Sequence, residues 1–296
     1  MDELKYGLLG DRLVSIDEVE RGLACNCLCP HCGAPLNAKK GTRRVKHFAH
    51  HRLMDCNHGT ETALHLMAKN IVAQTRKVFV PYIPKTEYDF SQQGRIITFE
   101  KAELEKALSS SIRGDVILHR GNSYLNIEIK VTHEVDLDKT VELFNLGIPT
   151  VELDLCDIKS NFSPEMIEDR LLLATHIRLI NSPRNKEVFA KLILGEWKEK
   201  YSTSNGTYVK DCPISRKKAY FVDHYGMGGS CECHECDAYG KQSGSSDSKL
   251  LCYGCLDGID FSKIDKILHL KKEEKHISSV TLLMSDGSVI ERGISR

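Results

Sequence analysis

Ile112-Arg-Gly-Asp115-Val-Ile-Leu-His119-Arg-Gly121-Asn122-Ser-Tyr124-Leu-Asn-Ile-Glu128-Ile-Lys130-Val131 reads as two strands joined at a tight turn. Both runs are rich in β-branched residues, and Gly121-Asn122 between them is a turn signal. The second run has period two. Leu125, Ile127, Ile129 and Val131 point one way; Tyr124, Asn126, Glu128 and Lys130 point the other. Glu128 and Lys130 are therefore neighbours on one face, and a hairpin lays Asp115 beside Glu128.

Working outward, Thr60 is a helix N-cap, with Leu64, Met67, Ala68, Ile71 and Val72 recurring at helical spacing as far as about Lys77. Val78–Ile83, Ile96–Phe99 and Val151–Leu155 read as strands, and residues 138–146 as a helix. Near the N-terminus, Leu8, Leu9, Leu13, Val14 and Ile16 read as hairpin pieces. The order predicts a mixed α/β core. Residues 163–200 read as helices, with Pro164 at the first position and Trp197 near the end. Tyr201–Thr207 reads as a polar linker, Gly240–Ser248 as an exposed loop, and the tail as a hairpin around Asp286-Gly287. The expected organisation is an N-terminal zinc module (1–58), a catalytic core (59–160), a helical extension (161–205) and a C-terminal zinc ribbon with a terminal hairpin (206–296).

Twelve cysteines are too many for chance, and ten fall in two groups. With no export signal at Met1-Asp2-Glu3-Leu4-Lys5, clustered cysteines read as metal ligands. In the first group Cys29-Pro-His-Cys32-Gly33 has the shape of a zinc knuckle, which needs two more ligands. Cys29, Cys32, His50 and Cys56 are the expected set, with His47, Cys25 and Cys27 as alternates. In the second, Cys233/Cys236 and Cys252/Cys255 fit a zinc ribbon, with Cys231 as a spare. Cys156 and Cys212 stand alone.

The net charge is zero, so any nucleic-acid site is a local patch. Lys39, Lys40, Arg43, Arg44 and Lys46 form one, with no acid from Gly33 until Asp55. No apolar run approaches the ~18 residues of a membrane span. These features point to the cytoplasm, a nucleic-acid partner (DNA ahead of RNA), and a protein partner or a second copy of the chain.

An Asp followed by Glu-x-Lys on the next strand is the skeleton of the PD-(D/E)xK nucleases. Two carboxylates hold Mg²⁺ or Mn²⁺ against the phosphate, and the lysine serves the attacking water. Taken alone, a Glu-x-Lys strand is as readily a solvated face. Glu61, His65 and Lys69 lie at i, i+4 and i+8 on the opening helix, either as an exposed ladder or beside the site.

Together, Cys-x-Cys-x-Cys-Pro-x-Cys-Gly, His47-Phe-Ala-His50, Cys56, Glu61-Thr-Ala-Leu-His65-x-x-Ala-Lys69, Arg113-Gly-Asp115, Ile127-Glu-Ile-Lys-Val-Thr-His133, Lys139 and Val151-Glu-Leu-Asp-Leu155 resemble the competence protein CoiA-like family over roughly residues 20–200. The family is regarded as a zinc-containing branch of those nucleases. The resemblance implies a restriction-endonuclease-like core, with Glu61, Asp115, Glu128 and Lys130 as the catalytic set. Asp115, Glu128 and the carbonyl of Ile129 would hold the catalytic cation; with the ribbon read from the second cysteine group, two structural zinc ions are expected. Gly114, where the family pattern has proline, is a departure. The implied function is metal-dependent phosphodiester hydrolysis in DNA processing, competence, recombination or phage defence. The rival reading is a non-catalytic zinc-containing nucleic-acid-binding or scaffold protein.

Overall fold

The computed structural model describes residues 4–52, 56–82, 94–203, 206–209, 239–242, 249–252, 256, 259–273 and 276–293. The chain forms two compact units, each discontinuous in sequence. One comprises Met1–Pro81, Gln92–Asp136 and Thr150–Leu179, the other Tyr82–Ser91, Leu137–Pro149 and Ile180–Arg296.

The first unit opens with a small module. Strands β1 (Tyr6–Leu9) and β2 (Arg12–Ser15) form one antiparallel pair, β3 (Leu36–Lys39) and β4 (His47–His50) another. Its core is Leu4, Val14, Ile16, Leu36, Ala38 and Phe48 together with Cys25, Cys27 and Cys29. Helix α1 (Gly59–Thr75) follows, with His58 at the N-cap, so Thr60 lies inside the first turn. Arg76 ends it in the left-handed region at φ 51°, its N–H closing on the Val72 carbonyl. β5 (Lys77–Pro81) pairs with β6 (Gly94–Thr98).

Then come β7 (Lys101–Ala107), β8 (Arg113–Arg120), β9 (Ser123–Lys130), helix α2 (Leu137–Leu146), β10 (Thr150–Asp154), helix α3 (Pro164–Leu172) and β11 (Ile177–Asn181). The strands form one mixed five-stranded sheet in the order β11-β10-β9-β8-β7. β7, β8 and β9 run antiparallel, and β10 runs parallel to β9 with Val151 opposite Ile127. Gly121 takes the left-handed turn position at φ 53°. Val116, Leu118, Ile127, Ile129, Val151 and Leu153 cover one face and pack against Leu64, Met67, Ala68, Ile71 and Val72 of α1 and Ile167 and Leu171 of α3. The helical periodicity thus marked the buried stripe of α1 correctly, and Ser163 and Pro164 start α3 as their residue types require.

The second unit contains α2, helix α4 (Lys186–Leu194), and strands β12 (Glu196–Thr203), β13 (Gly206–Val209), β14 (Tyr239–Gln242), β15 (Lys249–Cys252), β16 (Ile264–Glu273), β17 (His276–Met284) and β18 (Val289–Gly293). Asn145 of α2 exchanges two 2.8 Å hydrogen bonds with the backbone of Ile267 in β16. The terminal hairpin turns at Asp286-Gly287 as expected, with Gly287 at φ 85°.

Two expectations are corrected. Residues 163–200 are not all helical, because Ile177–Asn181 is a sheet strand with Ile177 and Ile180 buried, and Trp197 lies in β12. Sheet pairing there overrides helix propensity, as non-local partners commonly do. Tyr201–Thr207 is not a plain linker either, since β12 and β13 pair antiparallel with Thr203 opposite Gly206. Among the described residues no helix is long and apolar enough to cross a membrane.

Candidate metal centre and the charged site beside it

The knuckle closes on itself. Gly33 donates to the Cys29 carbonyl at 3.0 Å, and Cys29 donates to the Ala34 carbonyl at 2.8 Å. Gly33 takes φ 69°, which returns the chain into β3. β3 pairs with β4 so that Leu36 faces His50. Cys56, just before α1, supplies the fourth group. Cys29 Sγ lies 3.9 Å from Cys56 Sγ, and Cys32 Sγ lies 3.3 Å from His50 Nε2. All four ligand atoms fall within 4.8 Å of one another. A tetrahedral zinc with bonds of roughly 2.0–2.3 Å needs ligand atoms about 3.4–3.8 Å apart, so the donor set and its spacing fit zinc.

Burial pushes the Cys29 thiol up to about 11. At Cys32 slight burial is outweighed by hydrogen bonds, that of the Ala34 N–H foremost, and the thiol lies below its ordinary value. The alternates fall away. Cys25 and Cys27 are buried in the module core and donate to the carbonyls of Leu36 and Cys25. His47 has the opposite strand parity from His50 and lies against the Val45 carbonyl. Cys27→Ala is expected to leave the zinc content of the purified protein unchanged. Cys32→Ala should remove one equivalent, as read by elemental analysis.

The module grips the start of α1. A Cβ on Gly59 would sit 3.3 Å from Cys29 Sγ, so the helix begins against a metal ligand. His31, inside the knuckle, bonds Thr62 Oγ1 at 3.1 Å, and its ring lies 5.2 Å from that of His58.

The helix stripe leads to the second site. It is not a solvated ladder. His65 Nε2 lies 3.1 Å from Asp115 Oδ2, and Lys69 Nζ lies 3.4 Å from Asp115 Oδ1. Lys69 is buried and also pairs with Glu105. The Ile129 N–H donates to Asp115 Oδ2 at 3.0 Å. The Thr132 hydroxyl donates to Glu61 Oε1, and His58 lies 3.5 Å from Glu61 Oε2. Burial alone would raise the Asp115 pKa. The His65 hydrogen bond and charge, the Lys69 ammonium and the Ile129 N–H outweigh it and hold the group at about 2. At Glu61 slight burial is outweighed by Thr132 and His58, and its pKa is also lowered.

Glu128 and Lys130 are engaged elsewhere. Glu128 is 4% exposed, and Asn126 Nδ2 donates to its Oε1 at 2.8 Å. Lys130 Nζ donates to Asp154 Oδ2 at 2.8 Å, its register neighbour on β10, which keeps its ammonium above the ordinary value. Asp115 falls opposite Glu128 in register, one step beyond the Val116–Ile127 pair, and meets side chains of α1, whereas Glu128 accepts from Asn126 of its own strand. Gly114 shows why. A Cβ there would meet Asn126 Oδ1 at 2.4 Å and Ile117 Cδ1 at 2.8 Å, so Gly114 and Ile117 look to the same side. They are three residues apart, which breaks the alternation at Asp115–Val116 and turns Asp115 toward α1. Gly114→Ala is expected to lower stability by about 1–3 kcal/mol through that overlap, read by thermal unfolding.

Among the described residues the zinc-type cluster is the group of three or more His, Cys, Asp or Glu side chains that closes to ligand distance. In the basic patch, Lys46 pairs with Asp17 at 2.6 Å and Lys40 donates to the Val19 carbonyl at 2.7 Å, while Lys39, Arg43 and Arg44 are exposed. For the expected ribbon, Cys233, Cys236 and Cys255 lie outside the described residues. The backbone of β15 places Cys252 opposite Tyr239 of β14.

A knuckle and β-hairpin join three cysteines and a histidine ahead of a helix in a small module that could hold a metal ion. Residues 15–59, which hold all four ligands, match the family model of the competence protein CoiA N-terminal domain. The likeness is to this domain, over those residues. No curated protein and no solved structure matches the chain.

Proposed function

We propose that this CoiA-like chain processes nucleic acid, DNA ahead of RNA, as a phosphodiesterase centred on Asp115, in a competence-related or phage-defence setting. The observation that carries the reading is the convergence on one carboxylate. The zinc-type module grips the helix that brings His65 and Lys69 to Asp115 near the start of β8, and Glu61 to Thr132 just after β9. Asp115 is kept anionic beside the Lys69 ammonium, the His65 ring and a strand N–H. Such a perturbed, charge-partnered carboxylate is the kind of group that active sites keep. Lys39, Arg43 and Arg44 supply exposed positive charge for backbone contacts on the same module.

One observation favours the non-catalytic reading. The Glu-x-Lys pair is occupied within the sheet by Asn126 and Asp154. Calorimetric titration of the zinc-loaded protein with Mn²⁺ separates the two. The catalytic reading expects a site that is lost in both Asp115→Asn and Glu128→Gln. A protein with no such site, but with nucleic-acid binding intact, is a scaffold.

A further inference from the structure

We propose that Lys69 of α1, with His65 one turn before it, is the cationic partner that orients Asp115 for its work, in place of the strand lysine Lys130. The catalytic consequence rests on the reading above; the pairing itself does not.

Three observations point the same way. Lys69 is 8% exposed in the midst of the apolar stripe of α1, flanked by buried Ala68 and Val72. A buried ammonium is costly unless it is paired, and this one is set between two carboxylates, Glu105 and Asp115. Glu105 holds its place at φ 51°, a left-handed conformation unfavourable for a side chain of its size. It lies opposite Asp115, between the Leu104–Val116 and Lys106–Gly114 pairs. Lys130, by contrast, forms a cross-strand ion pair with Asp154 that ties β9 to β10. Lys69 and His65 touch Asp115, so they are positioning residues. They fix the direction in which its carboxylate presents itself.

The test uses the full zinc-loaded chain with Lys69→Met, Lys69→Arg, His65→Gln and Lys130→Met. Lys69→Met is expected to lower kcat for cleavage about 100-fold with KM little changed, since it removes positioning and not substrate contact. Lys69→Arg should recover most of the rate. A double-mutant cycle by thermal unfolding runs alongside. Lys69→Met and Asp115→Asn should lower Tm by less together than the sum of their separate effects. The proposal is overturned if Lys130→Met abolishes cleavage while Lys69→Met does not, or if the cycle is additive. A wild type that does not cut overturns the phosphodiesterase reading instead. The cycle then decides the Lys69–Asp115 pairing alone, non-additivity upholding it and additivity overturning it.

Discussion

Stripping zinc from the protein is expected to melt the N-terminal module and loosen the first turns of α1. The module is two short hairpins over a core of nine small or medium side chains, three of them cysteines. Isolated two-stranded pairs are marginal in water, and a core of this size does not hold a fold alone. One ligand, Cys29, is fully buried in that core with Gly59 against it, and Cys56 packs on its edge. Structural zinc sites in small modules contribute on the order of 10 kcal/mol, much of it folding energy. Chelation, or Cys29→Ser, should therefore abolish amide protection in β3 and β4 and lower it at the start of α1. The sheet strands β8–β10 have their own apolar core and should stay protected. Hydrogen exchange with mass detection reads all three regions in one experiment. Unchanged protection over residues 36–50 after complete zinc removal would refute a structural metal there.

The second large effect concerns acid. His65, Lys69 and the Ile129 N–H outweigh burial and hold the Asp115 carboxyl at about 2, below the usual aspartate range. A depressed carboxyl contributes stability that is fully present above its unfolded pKa and is lost as pH falls through the folded value. The wild type should accordingly lose roughly 2 kcal/mol between about pH 4 and pH 2. Asp115→Asn removes the titrating group and should flatten that part of the curve. Chemical unfolding across the window measures the difference between the two proteins. Parallel curves would mean that His65 and Lys69 do not hold the carboxylate in solution.

Much of the metal site was legible because zinc imposes its spacing on the sequence. Cys29-x-x-Cys32-Gly announces the knuckle, and Cys56 and His50 follow within reach. Strand parity separates His50 from His47 once Phe48 is seen as the core residue of β4. The α1 stripe was legible as a stripe, but periodicity gives a face and not its neighbour. Whether His65 and Lys69 meet water or Asp115 depends on where β8 starts against the helix. The break in alternation at Asp115–Val116 has no local signature, since Gly114 reads like any strand glycine. It is visible only as crowding against Asn126 and Ile117. The burial of Lys69 was hidden for a related reason. Its partner Glu105 belongs to β7, a strand of alternating charge, Lys-Ala-Glu-Leu-Glu-Lys-Ala, that carries little hydrophobic pattern of its own. β11 was missed because five residues between helical segments give too short a window for a period-two signal.

The most direct test of the phosphodiesterase reading is a cleavage assay. Zinc-loaded wild type and Asp115→Asn would be incubated with single-stranded, duplex and branched DNA and with RNA, in Mg²⁺ or Mn²⁺. The account predicts that the wild type cuts at least one DNA substrate and that Asp115→Asn, folded and still binding, does not. Binding without cleavage in both proteins, or cleavage that survives Asp115→Asn, would contradict it.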